Sequence, residues 1–210
     1  MRGTDGEGFS VYHRVLTYAE CDRLITLLPK REPGRAGDRN LFNDDSIRRL
    51  AADPRLIKIA QGFIDSPIPY KAILFDKSLD SNWLVPWHQD RVLPIRNRVP
   101  DPEWGPWTVK NEIHFAHAPK WALDRVVALR IHLDDSTETN GPLRVVPGSH
   151  SHGVLDQHEV ILRAATAHPV TCTVGRGGII AMHPLLIHAS SKATMLPVVS
   201  FISSMLSVCG

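Results

Sequence analysis

Between residues 126 and 133, Val127, Leu129, Ile131 and Leu133 alternate with Ala128, Arg130 and His132. A period of two puts alternate side chains on opposite faces of a strand, so one face here is wholly apolar and the other carries two polar groups. The same grammar governs most of the chain. From Tyr70 onward, short apolar runs are separated by Pro, Gly, Asp and Asn, the pattern of a β-sandwich or jelly roll. Residues 134–142 read as a polar turn, 143–146 as the returning strand and Pro147-Gly148-Ser149 as another turn. Residues 171–174 and 178–182 read as two further strands joined by Gly175-Arg176-Gly177.

The first third reads differently. Thr17-Tyr18-Ala19-Glu20 is a capping-box pattern; Leu24, Ile25, Leu27 and Leu28 follow at helical spacing, and Pro29 stops the run. Residues 31–39 read as loop, and the spacing predicts helices over 45–52 and 54–63, a layer to pack against the sheet. A chain of 210 residues fits one domain. We divide it into a helical part over 1–66, a core over 67–192 with an insert over 91–123, and an atypical tail over 193–210.

Charge and cysteine usage narrow the partners. Lys plus Arg number 24 against 22 Asp plus Glu, and they are scattered, so neither nucleic acid nor an anionic membrane surface is expected as a partner. Cys21, Cys172 and Cys209 are odd in number and far apart, which fits a reduced, cytoplasmic setting. The first ten residues are polar and Gly-rich, unlike a signal peptide. Residues 193–210 carry no charge, but Pro197 and several Ser interrupt them and they are short for a membrane span.

The chemistry is carried by Trp87-His88-Gln89-Asp90 and by His188, which follows the Gly177-Gly178 turn and an apolar strand. Residues at i and i+2 of a strand share a face, so His88 and Asp90 can converge on one metal while Gln89 faces away. With His188 they make a two-His, one-carboxylate triad, which occupies one face of an octahedral Fe(II) and leaves adjacent positions open. His150 and His183 compete as ligands, but each adjoins a turn-forming Ser or Pro, and turn roles are expected for them.

Asn82 to Asp90, Asn140-Gly141-Pro142-Leu143-Arg144-Val145-Val146-Pro147-Gly148-Ser149-His150, and Gly177-Gly178 with His188-Ala189-Ser190, in that order, resemble the phytanoyl-CoA dioxygenase family over about residues 39–192. The resemblance implies a double-stranded β-helix (jelly-roll, cupin-like) core with the N-terminal helices packed on its sheet. It also implies an Fe(II)-dependent dioxygenase using 2-oxoglutarate and O₂ on a small-molecule substrate, with His88, Asp90 and His188 as metal ligands. Ungapped counting places Arg130 where the family has a cosubstrate-contacting Trp, and puts Ile73 and Arg39 near the cosubstrate. Gln89, Asn82 and Lys77 would hydrogen-bond neighbouring groups. Hydroxylation of a small metabolite at an unactivated C–H bond is the expected activity. The rivals are a metal-binding pseudoenzyme of the same fold and a cupin-like dioxygenase that uses no 2-oxoglutarate.

Two features depart from that pattern or lie outside it. The family usually has an Arg about ten residues after the second His to meet the distal carboxylate of 2-oxoglutarate, whereas here Lys192 is the only cation after Arg176. The resemblance stops near Thr194, so the tail is expected to pack poorly, to leave a sheet edge exposed, and to make cosubstrate binding weak and dependent on Arg130 or Lys192. The insert carries Trp104, Trp107 and Trp121, and it reads either as a lid over the substrate or as an aromatic plug at a barrel end.

Overall fold

The computed structural model describes residues 6–28, 41–77, 82–194 and 198–207; Arg39, the predicted 31–39 loop and Cys209 lie outside the described residues. The chain opens with strand β1 (Phe9–Tyr12), followed by helices α1 (Tyr18–Leu27), α2 (Asp45–Ala51) and α3 (Pro54–Gln61). Strands β2 (Pro67–Lys77), β3 (Val85–His88), β4 (Val92–Ile95), β5 (Trp107–Lys110) and β6 (Ile113–His117) come next, then the short helix α4 (Lys120–Leu123). They are succeeded by β7 (Val126–His132), β8 (Leu143–Val145), α5 (Gln157–Thr166), β9 (Val170–Cys172), β10 (Ile179–Met182), β11 (His188–Ser190) and β12 (Val198–Ser207). No helix among the described residues is long and apolar enough to cross a membrane.

The predicted helices form for the expected reasons. The Thr17 hydroxyl accepts from the Glu20 backbone N–H at 3.3 Å and the Glu20 carboxylate accepts from the Thr17 N–H at 2.7 Å, closing the box at the start of α1. Asp53 caps α3 ahead of Pro54. Arg55 bridges Glu20 at 2.8 Å and Asp53 at 2.7 Å, which joins the first turns of the two helices. That pairing outweighs desolvation and lowers the Glu20 carboxyl to about 2.

Two antiparallel sheets face each other as a jelly roll, one in the order β1-β10-β7-β12-β2 and the other β3-β11-β8-β9. Val127, Leu129 and Ile131 of β7 point outward into a core shared with Ile47, Leu56 and Ile59 of the helices. On the inner face, Ala128 meets Ile180 and Met182 of its own sheet and Leu143, Val145 and Cys172 of the opposite one. β7 is therefore buried along its whole length on both faces, Arg130 and His132 included, so these are not surface groups. Cys21 and Cys172 are buried and unbonded.

The structure corrects the expectation for the tail. β12 lies between β7 and β2, with Phe201 opposite both Ile131 and Leu74, and Met205 is fully buried in the outer core. A central strand covered by helices on one side and a second sheet on the other needs no polar alternation. Val198, Val199, Phe201 and Ile202 supply the β-branched and aromatic residues that favour pairing. Instead of leaving an edge exposed, the tail fills the gap between two strands. Within the helical part, β1 likewise joins the main sheet beside β10.

The insert is not irregular. It forms a three-stranded sheet in the order β4-β6-β5 together with α4. Leu93, Ala122, Leu123 and Trp104 pack there on Val126 and Leu185.

Candidate metal centre

β3 and β11 run antiparallel with His188 directly opposite His88, so strand pairing alone brings the two imidazoles together, ring centres 4.1 Å apart. Asp90 follows two residues after His88, past the end of β3, and its backbone N–H donates to the Pro184 carbonyl at 2.8 Å. That bond holds the Asp90 segment against the turn leading into β11. Asp90 Oδ1 lies 3.6 Å from His88 Nε2 and Asp90 Oδ2 lies 3.7 Å from His188 Nε2, and the three ligand atoms fall within 4.8 Å of one another.

The ring orientations fit a metal. His88 Nδ1 lies 2.8 Å from the Pro86 carbonyl and His188 Nδ1 lies 2.8 Å from the Leu186 carbonyl. A carbonyl only accepts, so each Nδ1 donates to it, which leaves each Nε2, on the Asp90 side, as the ring atom that a metal would take in place of a proton. The Asp90 side chain is half exposed; crowding by its neighbours would raise the carboxyl, but the hydrogen bond and charge of His88, with the charge of His188, outweigh that and hold the group well below the usual carboxylate range. Burial lowers His188, whereas at His88 the hydrogen bond and charge of Asp90 overcome burial and raise it. Two fixed imidazole lone pairs and one ionised carboxylate on a single side are the donor set that non-haem iron oxygenases use for Fe(II).

The other expected site positions are spread around this cluster. Gln89 is buried and faces away from the ligands; its amide N–H groups donate to the carbonyls of Gly153 and Leu185 at 2.9 and 2.8 Å, and its carbonyl accepts from the Leu155 N–H at 2.9 Å. It therefore clamps two loops behind the ligands and has its amide groups engaged by backbone. Ile73 sits opposite Ile202 of β12, between the outward-packed Ala72 and Leu74, and so faces the barrel interior. Arg130 lies inside the barrel, whereas Lys192 is exposed. Asn82 and Ala193 exchange two hydrogen bonds at 2.6 and 2.7 Å, tying the segment before β3 to the one after β11.

His150 and His183 stack near each other, ring centres 5.2 Å apart, outside the triad. Gly8 packs so closely on the His150 ring that a side chain there would collide with it. The residue overlooked at the sequence level is His132, fully buried with neither ring nitrogen hydrogen-bonded. Its signal was its place two residues beyond Arg130 on the same face.

The insert reaches this end of the barrel. β4 begins two residues after Asp90, and Trp104 packs in the cluster that holds Leu185. Within the insert, an open groove of about 920 Å³ is walled by Arg98, Pro100, Trp104 and Trp107, with the Arg98 guanidinium 5.6 Å from the Trp107 ring centre. None of the three ligand residues lines it.

Burial lowers His132 to about 3 and His183 to about 4, the second aided by the charge of His150, so both are neutral in the fold at pH 7. In the unfolded chain each takes up a proton near 6.5, and the fold cannot follow until the pH reaches those lower values. Stability is thus present above 6.5 and falls with pH below it, by about 1.4 kcal/mol per unit for each histidine. Urea denaturation of metal-free protein should show a large loss between pH 7 and 5. His132→Gln should reduce that loss by about 2 kcal/mol, and an unchanged slope in the variant would refute the assignment.

The sequence pattern of the Phytanoyl-CoA dioxygenase (PhyH) family matches residues 7–194, and the chain belongs to that family. It is similar to L-proline trans-4-hydroxylase of Streptomyces griseoviridis, at 25% identity over 178 residues, covering 72% of this chain and 59% of the relative. It thus spans under two thirds of that protein's length. Among solved structures, EctD from S. alaskensis with bound Fe superposes with a TM-score of 0.71 at 20% identity, over 97% of this chain and 74% of that one. The non-heme alpha ketoglutarate dependent carbocyclase SnoK from nogalamycin biosynthesis gives a TM-score of 0.72 at 14% identity, over 98% and 82%. These two likenesses establish the jelly-roll fold.

Proposed function

We propose that the chain is an Fe(II)- and 2-oxoglutarate-dependent dioxygenase that hydroxylates a small metabolite at an unactivated C–H bond. The observation that carries the reading is the convergence of His88 Nε2, Asp90 and His188 Nε2 at the mouth of a jelly roll, with both Nδ1–H groups tied to backbone carbonyls. Bound iron and 2-oxoglutarate would supply the O₂ activation, one oxygen atom going to succinate and the other to the product, with release of CO₂. The chain's own residues have other tasks. His88, Asp90 and His188 would hold the ion and leave room for the cosubstrate and O₂ to bind it. Gln89 and the Asp90–Pro184 backbone bond keep two of those ligands in register, as supporting groups do around metal sites. Ile73 offers an apolar wall inside the barrel, against which the methylenes of the cosubstrate would lie. The insert, anchored beside Leu185, would border the space above the metal and select the substrate.

The relative's activity on L-proline makes cyclic and linear amino acids the first substrates to screen. The decisive measurement is succinate formation that requires Fe(II) and 2-oxoglutarate and rises when a substrate is present. Metal binding with no succinate under any condition would favour a pseudoenzyme, and O₂ consumption without 2-oxoglutarate would favour a cupin-like dioxygenase.

A further inference from the structure

Arg130 and His132 lie on the inner face of β7, sealed inside the barrel with hydrogen-bonding atoms to spare. Arg130 is 8% exposed and His132 0%. Arg130 Nε and both His132 ring nitrogens are buried without a hydrogen-bond partner, and among the described residues no carboxylate forms an ion pair with the guanidinium. Burial lowers Arg130 to about 10, which leaves it a cation at neutral pH, and His132 beside it is neutral. A buried charge without a counter-charge is among the costlier things a core can contain, and native folds rarely leave such atoms unmatched.

The surroundings define what would match it. Arg130 is opposite Ile180 on one side and Ile202 on the other, and Ile202 is in turn opposite Ile73. The guanidinium carbon lies 5.9 Å from the Phe75 ring centre, so the side chain reaches from β7 across β12 toward β2. No Lys or Arg occurs in β12 itself. Among the described side chains, those nearest the cation are apolar or uncharged: Phe75, Ala128, Cys172 and Ile180, with Ile73 beside Phe75 on the inner face of β2. One buried cation among apolar side chains on the main sheet, facing a second sheet whose strands β3 and β11 carry His88 and His188, fits a short linear molecule with a carboxylate at its inner end.

We propose that Arg130, backed by His132, is the carboxylate-binding group of this barrel, and that it takes the distal carboxylate of a linear five-carbon dicarboxylate whose other end faces His88, Asp90 and His188. The identification of that dicarboxylate as 2-oxoglutarate rests on the function proposed above; the anion site itself needs no metal. Cosubstrate anchoring thereby passes from the last strand to its neighbour, with the long Arg130 side chain spanning the gap.

The test uses metal-free full-length protein and reads the thermal midpoint and calorimetric affinity with 2-oxoglutarate, with glutarate, and with 2-oxopentanoate, which lacks the distal carboxylate. Both dicarboxylates should raise the midpoint and 2-oxopentanoate should not. Arg130→Met should weaken 2-oxoglutarate about tenfold to a hundredfold. Without ligand, the same variant should melt no lower than the parent, because it removes an uncompensated buried charge. Arg130→Lys should retain part of the response, and Asp90→Ala should keep all of it. An equal response of Arg130→Met and parent to glutarate, an equal effect of sodium chloride, or unfolding of the ligand-free Met variant would each overturn the proposal. If the dicarboxylate response stands but no succinate forms, the dioxygenase reading falls and the anion site remains; if succinate forms in the parent and in Arg130→Met with the same KM for 2-oxoglutarate, the reverse holds.

Discussion

Asp90→Ala should weaken Fe(II) binding by at least about a hundredfold, since even groups that merely support a metal ligand are worth tenfold to a hundredfold. The carboxylate is the one anionic donor of the cluster, lying 3.6 and 3.7 Å from the two imidazole Nε2 atoms, and Ala leaves only water in its place. Anaerobic titration of the parent should give one site per chain. His150→Ala is the matched control: this histidine packs under Gly8 and beside His183, outside the triad, and its loss should leave the iron affinity unchanged. Equal weakening by the two substitutions would refute the ligand assignment. His88→Ala and His188→Ala should follow Asp90→Ala, because each removes a lone pair already oriented by a carbonyl on the far side of its ring.

Gly177→Ala should destabilise the fold by about 3–5 kcal/mol. Gly177 has φ +80°, and a Cβ there would collide with the Leu16 carbonyl oxygen. Relief requires moving a segment whose Val15 and Leu16 N–H groups both donate to the Gly177 carbonyl, at 3.0 and 2.9 Å. Gly6 isolates the steric part: its φ is +79° but nothing lies within 4 Å of the position a Cβ would take. Gly6→Ala should therefore cost only the backbone penalty, about 1 kcal/mol. Urea midpoints compare the two directly, and similar losses would mean that the contact with Leu16 yields without cost.

What the sequence revealed was local. The alternation of β7 and the box at Thr17 and Glu20 each follow from the periodicity of one segment and appear where expected. His88 and Asp90 do converge, although Asp90 lies past the end of β3 and is held by its bond to Pro184 and not by strand alternation. Helix α5 was legible but overlooked: Asp156 caps it by accepting from the Glu159 N–H, and Val160 and Ala164 form its buried face. β12 could not be read this way. Its place depends on two strands more than 60 residues distant in sequence, and burial on both faces removes the polar alternation that marks a half-exposed strand. The same limit hid the environment of Arg130. A strand pattern shows which face a guanidinium shares, but not whether a carboxylate from another strand waits there.

The position of β12 also bears on how the protein is made. It is the last element described, yet it divides β7 from β2. While the polypeptide is still on the ribosome, β2 must wait through synthesis of about 120 residues, on the order of ten seconds at ordinary elongation rates, before its partner in the main sheet exists. For that interval the nascent chain presents two unsatisfied strand edges of the kind that recruit other chains. The barrel interior, Arg130 included, stays open to water until Val198 to Ser207 slide in. A transcript broken before codon 198 would yield not a slightly shorter protein but a three-stranded sheet, β1-β10-β7, and a stranded β2 with nothing to join them.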